Sequence, residues 1–389
     1  MVSYQVRQQC ERHNRELRRV VEYNRFPLDH ILWGEGNLLL TGGQVAQRQD
    51  ILIRLVRHLR QQPPERPLFL FTASAEVERE LIGLARAGYL GTLRVISPEY
   101  PNYDVFYGMP SVVIADCLTK IAGGDEGLYS YALAFLSLLD RAGTLSLSNM
   151  VDFARNTDAA IAGWAQDCGL LEERAQIMGS SQGGIRFRSA LRMVSLAFSS
   201  LTREGCAARF SLTTATDVPC AVCLRADAVH PEVLAAYFSY VFQSLLGQGR
   251  SFTVILDEPP FLRHSAFSQS LAALKQSPLT MTAVSVENAA AFGGEEFLSN
   301  FSREIILLGG GRVGSSDMQW ILDGLGSYPH FEPAKSASGP PRLLGLRPVG
   351  DSILTYTRSK VLVEETEGFQ AVLRGHRGAE TGMARRLEV

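Results

Sequence analysis

The sequence predicts an α/β fold, a mainly parallel sheet with a helical domain inserted into it. Three observations carry this. Short apolar runs of strand length alternate with stretches of helical spacing in the first third of the chain, the order expected of βαβ units. From about Leu128 to Leu201 only helical patterns occur. Strand-length runs then resume, again separated by helical stretches.

Taken in order, residues 4–24 mix Arg and Glu with spaced Val and Leu, the pattern of an exposed or partner-facing helix within an N-terminal helical segment at 1–33. Asn37–Thr41 is an apolar run that meets a glycine pair, and Ile51–Leu59 follows with helical spacing, so a strand, a loop and a helix are expected there. Pro67–Thr72 reads as a second, buried strand, Ala75–Ala87 as an acidic helix and Thr92–Ile96 as a third strand. These make up the first half of the α/β domain, 34–127. The all-α insertion is placed at 128–201, with Gly123-Gly124 before it and Gly179–Gly184 interrupting it. The second half, 202–363, carries strands at Pro219–Leu224, Phe252–Leu256, Met281–Val286 and Glu304–Leu308. Helical stretches at His230–Leu246, Ser265–Lys275 and Ser316–Leu325 lie among them, and Ile353–Val363 reads as an edge hairpin or last strand. The polar, Gly- and Arg-rich end at 364–389 reads as a loose tail.

Composition narrows the function classes. The 389 residues are 46% hydrophobic and 20% charged, which sets aside disordered, collagenous and coiled-coil readings. Lys and Arg number 38 against 40 Asp and Glu, so no global basic excess advertises nucleic acid. The basic side of the first helix (Arg7, Arg12, Arg15, Arg18, Arg19) is either a solvated face or a dock for an acidic partner, nucleic acid or a membrane surface. The longest uncharged apolar stretch, around Leu128–Leu139, is shorter than the roughly 18–20 residues a membrane span needs. Scattered cysteines and a polar start fit a soluble protein of the reducing cytoplasm.

Two segments carry candidate chemistry. A phosphate-binding loop reads G-x-x-x-x-G-K-[ST], because glycines let backbone N–H groups surround the phosphates while the lysine and hydroxyl reach the terminal phosphates and Mg²⁺. Gly42-Gly43-Gln44-Val45-Ala46-Gln47-Arg48-Gln49 has the first glycine, but Gln47, Arg48 and Gln49 replace the second glycine, the lysine and the hydroxyl residue. Any strand–Gly-Gly–helix turn would look similar. Arg48 is the residue with the chemistry to meet a phosphate. The second segment is the apolar run Phe252–Leu256 ending in Asp257-Glu258. It has the form of a Walker B strand, in which the Asp faces Mg²⁺ and the Glu orients or deprotonates a water; a solvated acidic turn before Pro259-Pro260 is the alternative.

The order of these segments resembles the conjugative coupling-protein ATPases of type IV secretion (the TraG/TraD type, within the HerA–FtsK group of P-loop motors). The second strand ends Thr72-Ala-Ser-Ala-Glu76 where the family has an Asp-Pro-Lys-Gly-Glu turn. Tyr103-Asp-Val-Phe106 stands for a Tyr-Asn-Pro-Leu element, Ser285-Val-Glu-Asn288 for a sensor Gln-Ser, and Leu307-Leu-Gly-Gly310 for the closing loop. The similarity covers about 34–330. It implies a RecA-like P-loop NTPase fold with helices on both faces of the sheet, ATP and Mg²⁺ as cofactors, and ring assembly as a homo-oligomer or with a paralogous ATPase or secretion components. Carried onto this sequence, Gly42, Gly43, Gln47, Arg48 and Gln49 form the nucleotide loop, Asp257 is the Mg²⁺-side carboxylate, and Glu258 and Glu287 are the catalytic positions. The helices of 128–201 become the part that recognises DNA or protein cargo, and partners would recruit the chain to the inner membrane.

The departures point to a degenerate, pseudo-ATPase adaptor in a transfer system, with an active translocation motor as the alternative. Lysine and hydroxyl are gone from the loop, the second-strand Asp is Thr72 and the sensor Gln is Glu287. Gly309–Gly314 spells G-x-G-x-x-G, the form of a dinucleotide fingerprint, so an NAD(P)-dependent oxidoreductase is a third reading; a tight loop satisfies the same residues. Cys220-Ala-Val-Cys223 lies within an expected strand and lacks a second pair, which favours packing over zinc or redox chemistry.

Overall fold

The computed structural model describes residues 35–61, 66–124, 126–143, 145–202, 220–226, 229–292 and 300–308. It adds the short pieces 25–27, 297–298, 370–375 and 386–388 and the single positions Gln8, Glu11, Arg12, Arg15, Leu32 and Leu212. In chain order the elements begin β1 (Arg25–Pro27), β2 (Leu38–Gly42), α1 (Val45–Gln61), β3 (Leu68–Thr72), α2 (Ala75–Arg86) and β4 (Leu93–Ile96). Six helices follow: α3 (Ser111–Ile121), α4 (Glu126–Arg141), α5 (Leu147–Phe153), α6 (Asp158–Asp167), α7 (Leu171–Gly179) and α8 (Ser181–Ala197). The rest are β5 (Ala221–Arg225), α9 (Pro231–Gly247), β6 (Phe252–Asp257), α10 (Ser265–Gln276), β7 (Thr280–Val286), β8 (Arg303–Leu308), β9 (Gln370–Gly375) and β10 (Arg386–Glu388). The fold is α/β with parallel strands, as the sequence predicts.

The chain divides into two compact units, Met1–His58 with Ala283–Val389, and Leu59–Thr282. In the first, β2 lies between the end of β7 and β8, parallel to both; Leu38 pairs with Ala283 on one side and Arg303 on the other. Leu38, Leu39 and Leu40 are fully buried, which is why this strand reads as a continuous apolar run. The approach to β2 is fastened from β8. Arg303 donates through Nη1 to the Leu32 carbonyl at 3.1 Å and through Nη2 to the Gly36 carbonyl at 2.5 Å. Burial pulls the Arg303 pKa down to about 10. β9 adds to β8 antiparallel, with Leu373 opposite Ile305, and β1 pairs with β10 in a separate parallel ladder. The segment read as a loose tail therefore supplies two strands, because Ala371-Val-Leu373 is an apolar run short enough to escape notice among polar neighbours.

In the second unit the strand order is β4-β5-β3-β6, all parallel. β3 is central and wholly buried; its register sets Thr72 opposite Arg225 on one side and Asp257 on the other. Phe71 makes edge contacts with Phe238, Phe242 and Phe261 at ring separations of 5.0, 5.6 and 5.5 Å, so α9 and the turn after β6 seat against this strand. Tyr103 and Tyr237 share a hydroxyl contact of 2.8 Å, and Tyr237 donates to the Val105 carbonyl at 2.6 Å. The Tyr103–Phe106 element thus anchors α9.

The helices α4–α8 form their own aromatic core, with Phe135 4.7 Å from Phe187 and 5.3 Å from Phe153, and Phe153 5.0 Å from Trp164. Arg188 of α8 reaches the Ala154 and Asn156 carbonyls and Asp158, whose carboxylate also accepts from the Tyr131 hydroxyl at 2.6 Å. One guanidinium so ties α8 to the α5–α6 turn. The interruption expected at Gly179–Gly184 falls at Ser180, between α7 and α8. Gly183 lies in the first turns of α8, and a Cβ there would stand 2.5 Å from the Gly127 carbonyl oxygen of α4. Glycine costs a helix about 1 kcal/mol relative to alanine, and here it permits close backbone approach. Helix α3 was not anticipated, because its Val112-Val-Ile114 start is β-branched; Ile114, Ala115, Cys117 and Leu118 bury its inner face. The basic first helix, Ser316–Leu325 and Ile353–Val363 fall largely or wholly outside the described residues.

Candidate functional site: the glycine loop and the acidic strand tip

The loop after β2 belongs to the first unit. Gly42 and Gly43 have φ of +78° and +59°, a backbone conformation that only glycine adopts at little cost. Space makes the same demand: a Cβ on Gly42 would stand 2.5 Å from the Leu307 carbonyl oxygen, and one on Gly43 2.6 Å from the Leu307 Cβ. The Gly42 N–H donates to the Glu287 carbonyl at 3.2 Å, so the glycine pair and the altered sensor position at the end of β7 are joined through backbone. The Glu287 side chain is exposed.

Side chains of α1 close this loop. The Gln44 N–H donates to Gln47 Oε1 at 3.0 Å. Arg48 is 1% exposed, and its Nη1 donates to the carbonyls of Gly42 at 2.8 Å and Gly43 at 3.3 Å. Gln49, in the next position of the helix, is half-buried. Two hydroxyls of this unit, Thr41 Oγ1 on β2 and Ser285 Oγ on β7, are buried with no hydrogen-bond partner among the described residues.

The acidic tip belongs to the second unit. Asp257 ends β6 and is 5% exposed. Its Oδ2 accepts from Thr72 Oγ1 at 2.8 Å, and Thr72 Oγ1 accepts from the Ser74 N–H at 2.9 Å. The Thr that stands in place of the second-strand Asp therefore touches the Walker-B-like Asp directly. Ser74 then caps α2 by accepting from the Val77 N–H. Glu258 has φ of +45° and precedes Pro259, although a residue before proline is ordinarily confined to extended backbone. A non-glycine residue held there stores about 1–3 kcal/mol and persists only where its surroundings impose it.

Sequence reasoning passed over a third group at this strand edge. Arg225, directly opposite Thr72 on β5, donates Nε–H to Glu78 Oε2 at 2.7 Å and pairs with Glu99; Ser97 Oγ donates to Glu78 Oε1 at 3.0 Å. The signal was available, since an arginine closing the apolar run Ala221–Leu224 needs an acidic partner. The neighbouring Cys223 thiol is pushed up, first by burial and then by Glu78 and Asp257. Its thiolate is disfavoured, and among the described residues no cluster of three or more His, Cys, Asp or Glu is placed to hold a metal ion. Cys220 and Cys223 are buried core thiols outside any disulfide. The Gly309–Gly314 fingerprint lies outside the described residues.

The residues fit the cofactors unequally. Asp257 and Glu258 are hard oxygen donors of the type Mg²⁺ takes. The glycine loop does not suit a triphosphate as it stands, because the Gln44 amide is taken by the Gln47 carboxamide and the cation at position 48 is turned onto loop carbonyls.

No protein-family model matches the sequence, and a search of the curated proteins finds no match. Solved structures do match. An unbound monoclinic form of the bacterial conjugative coupling protein TrwBdeltaN70 aligns with a TM-score of 0.55 at 13% identity, covering 90% of this chain and 84% of that one. Its trigonal form in complex with sulphate aligns with a TM-score of 0.53 at 12% identity and the same coverage. The chain thus has the fold of a conjugative coupling protein. No helix among the described residues is long and apolar enough to cross a membrane.

Proposed function

We propose that this chain is a coupling-protein-type pseudo-ATPase, a cytoplasmic subunit or adaptor in DNA or protein transfer by a type IV secretion or conjugation-like system. The observation that carries the reading is the state of position 48. Where a phosphate loop needs a lysine reaching outward to the terminal phosphates, this chain has a buried guanidinium engaged with the carbonyls of Gly42 and Gly43. With Gln49 in place of the Mg²⁺-binding hydroxyl, charge stabilisation of a transferring phosphoryl group has no source in this loop. The coupling-protein fold supports a role in assembly, as a homo-oligomer or beside an intact paralogue, with cargo or a partner engaging the helices of 128–201 and partners recruiting the chain to the inner membrane.

Binding of Mg-ATP and turnover, measured for the wild type and Glu258→Gln, test the reading. The expected result is no turnover above background in either protein. Micromolar binding with turnover that Glu258→Gln abolishes would overturn it in favour of a working motor. The motor reading has an observation of its own: Asp257 is held by Thr72, and Glu258 keeps a strained backbone that a mere acidic turn does not need. Mass in solution with and without ATP tests assembly; a monomer under both conditions, alone and with the intact paralogue, would remove that part.

A further inference from the structure

The closed loop goes beyond missing residues. We infer that Gln47 and Arg48 act as intrachain ligands of the glycine loop, an autoinhibitory latch over a phosphate site that the backbone still builds. This deepens the pseudo-ATPase reading and rests on it.

Three observations converge. First, the backbone retains the form of a phosphate cradle: two glycines in the left-handed region after a buried strand, then the N-terminus of a 17-residue helix. Such a turn presents amides and a positive helix end to an anion. Second, the Gln47 carboxamide oxygen already takes the Gln44 amide at 3.0 Å. It also lies against Gly43, where an added Cβ would meet Gln47 Oε1 at 2.9 Å beside the Leu307 Cβ at 2.6 Å. The neutral oxygen holds an amide that an anion would need. Third, the Arg48 guanidinium neutralises the loop from beneath, satisfying two carbonyls without offering its charge outward. A phosphate must displace the carboxamide, and the loop's own cation is already engaged with the Gly42 and Gly43 carbonyls. A second glycine at position 47 would remove the latch, and a lysine at 48 would return a mobile point charge in place of a bulky planar group.

The test uses the full chain as wild type, Gln47→Gly, Gln47→Ala and the triple variant Q47G/R48K/Q49T, each checked for an unchanged far-UV spectrum and cooperative melt. Calorimetric titration with pyrophosphate and with Mg-ATP is the readout. Removing one neutral hydrogen bond from the competition predicts that pyrophosphate binds Gln47→Gly and Gln47→Ala about tenfold more tightly than wild type. The triple variant gains Mg-ATP binding that the wild type lacks. Gln47→Ala keeps the helix-forming tendency and so separates release of the latch from loss of helix. Folded variants that all stay as inert as the wild type would overturn the latch and leave the pseudo-ATPase reading standing. A wild type that binds Mg-ATP as tightly as the triple variant would overturn the latch as well, and turnover dependent on Glu258 would sink the pseudo-ATPase reading separately.

Discussion

The glycine loop after β2 and the acidic tip after β6 meet their backbone demands in opposite ways. In the loop, positive φ falls on glycines, which adopt it at little cost, and the polar groups are answered by the loop's own helix. In the tip, positive φ falls on Glu258 before a proline, and Asp257 is held by a threonine from a strand 185 residues away in sequence. The loop places its left-handed backbone on glycines, while the tip places it on a glutamate before a proline. Relaxation follows when a constraint is lifted, and stored strain marks a constraint still in force. The proposed pseudo-ATPase reading rests on the loop side of this difference.

Substitutions can break or sharpen that contrast. The largest effect is expected at Gly42. Gly42→Ala adds a Cβ 2.5 Å from the Leu307 carbonyl oxygen in a left-handed conformation. Strain and overpacking together predict a loss of about 3–4 kcal/mol by chemical denaturation. A loss below 1 kcal/mol would mean that the loop re-forms freely, and the contrast would go. Next comes Thr72→Val, which removes the donor to Asp257 and the acceptor for the Ser74 N–H inside a buried strand. We expect a cost of about 2–3 kcal/mol, with Thr72→Ser recovering most of it. A neutral Thr72→Val would show that Asp257 is held by something else.

A smaller effect reads the strain at 258 directly. Glu258→Gly and Glu258→Ala both discard the side-chain contacts, so their difference reports backbone conformation; the glycine variant should be the more stable by about 1 kcal/mol. Equal melts would remove the claim of strain. The smallest effect belongs to Ser285→Ala. A buried hydroxyl with no partner among the described residues loses nothing when deleted, and the variant should match or exceed the wild type by up to about 1 kcal/mol. A clear destabilisation would reveal a hidden partner.

Much of the fold was legible in the sequence. Leu68–Phe71 is an uninterrupted apolar run, and Phe252–Leu256 and Met281–Val286 are mainly apolar with small hydroxyl residues at Thr253, Thr282 and Ser285, as strands buried on both faces are written. The phosphate-loop departure at positions 47–49 was equally plain. What could not be read was the use made of it: a rotamer decides whether Arg48 reaches outward or turns onto the Gly42 carbonyl, and composition does not fix rotamers. The Thr72–Asp257 bond was hidden for another reason, since pairing across 185 residues depends on strand order. Gly183 misled because glycine marks both a helix break and a close helix crossing, and only the Gly127 backbone beside it separates the two.

The guanidinium of Arg188 has a consequence for how this molecule can change over generations. It fastens the α5–α6 turn to α8 while Leu171, Met178 and Ile185 stand 66%, 56% and 69% exposed on α7 and α8. Exposed positions away from such a fastening tolerate replacement within about 0.5 kcal/mol. Mutations there sample new chemistry almost without folding risk, so drift or a randomised library can revise that surface while the scaffold persists.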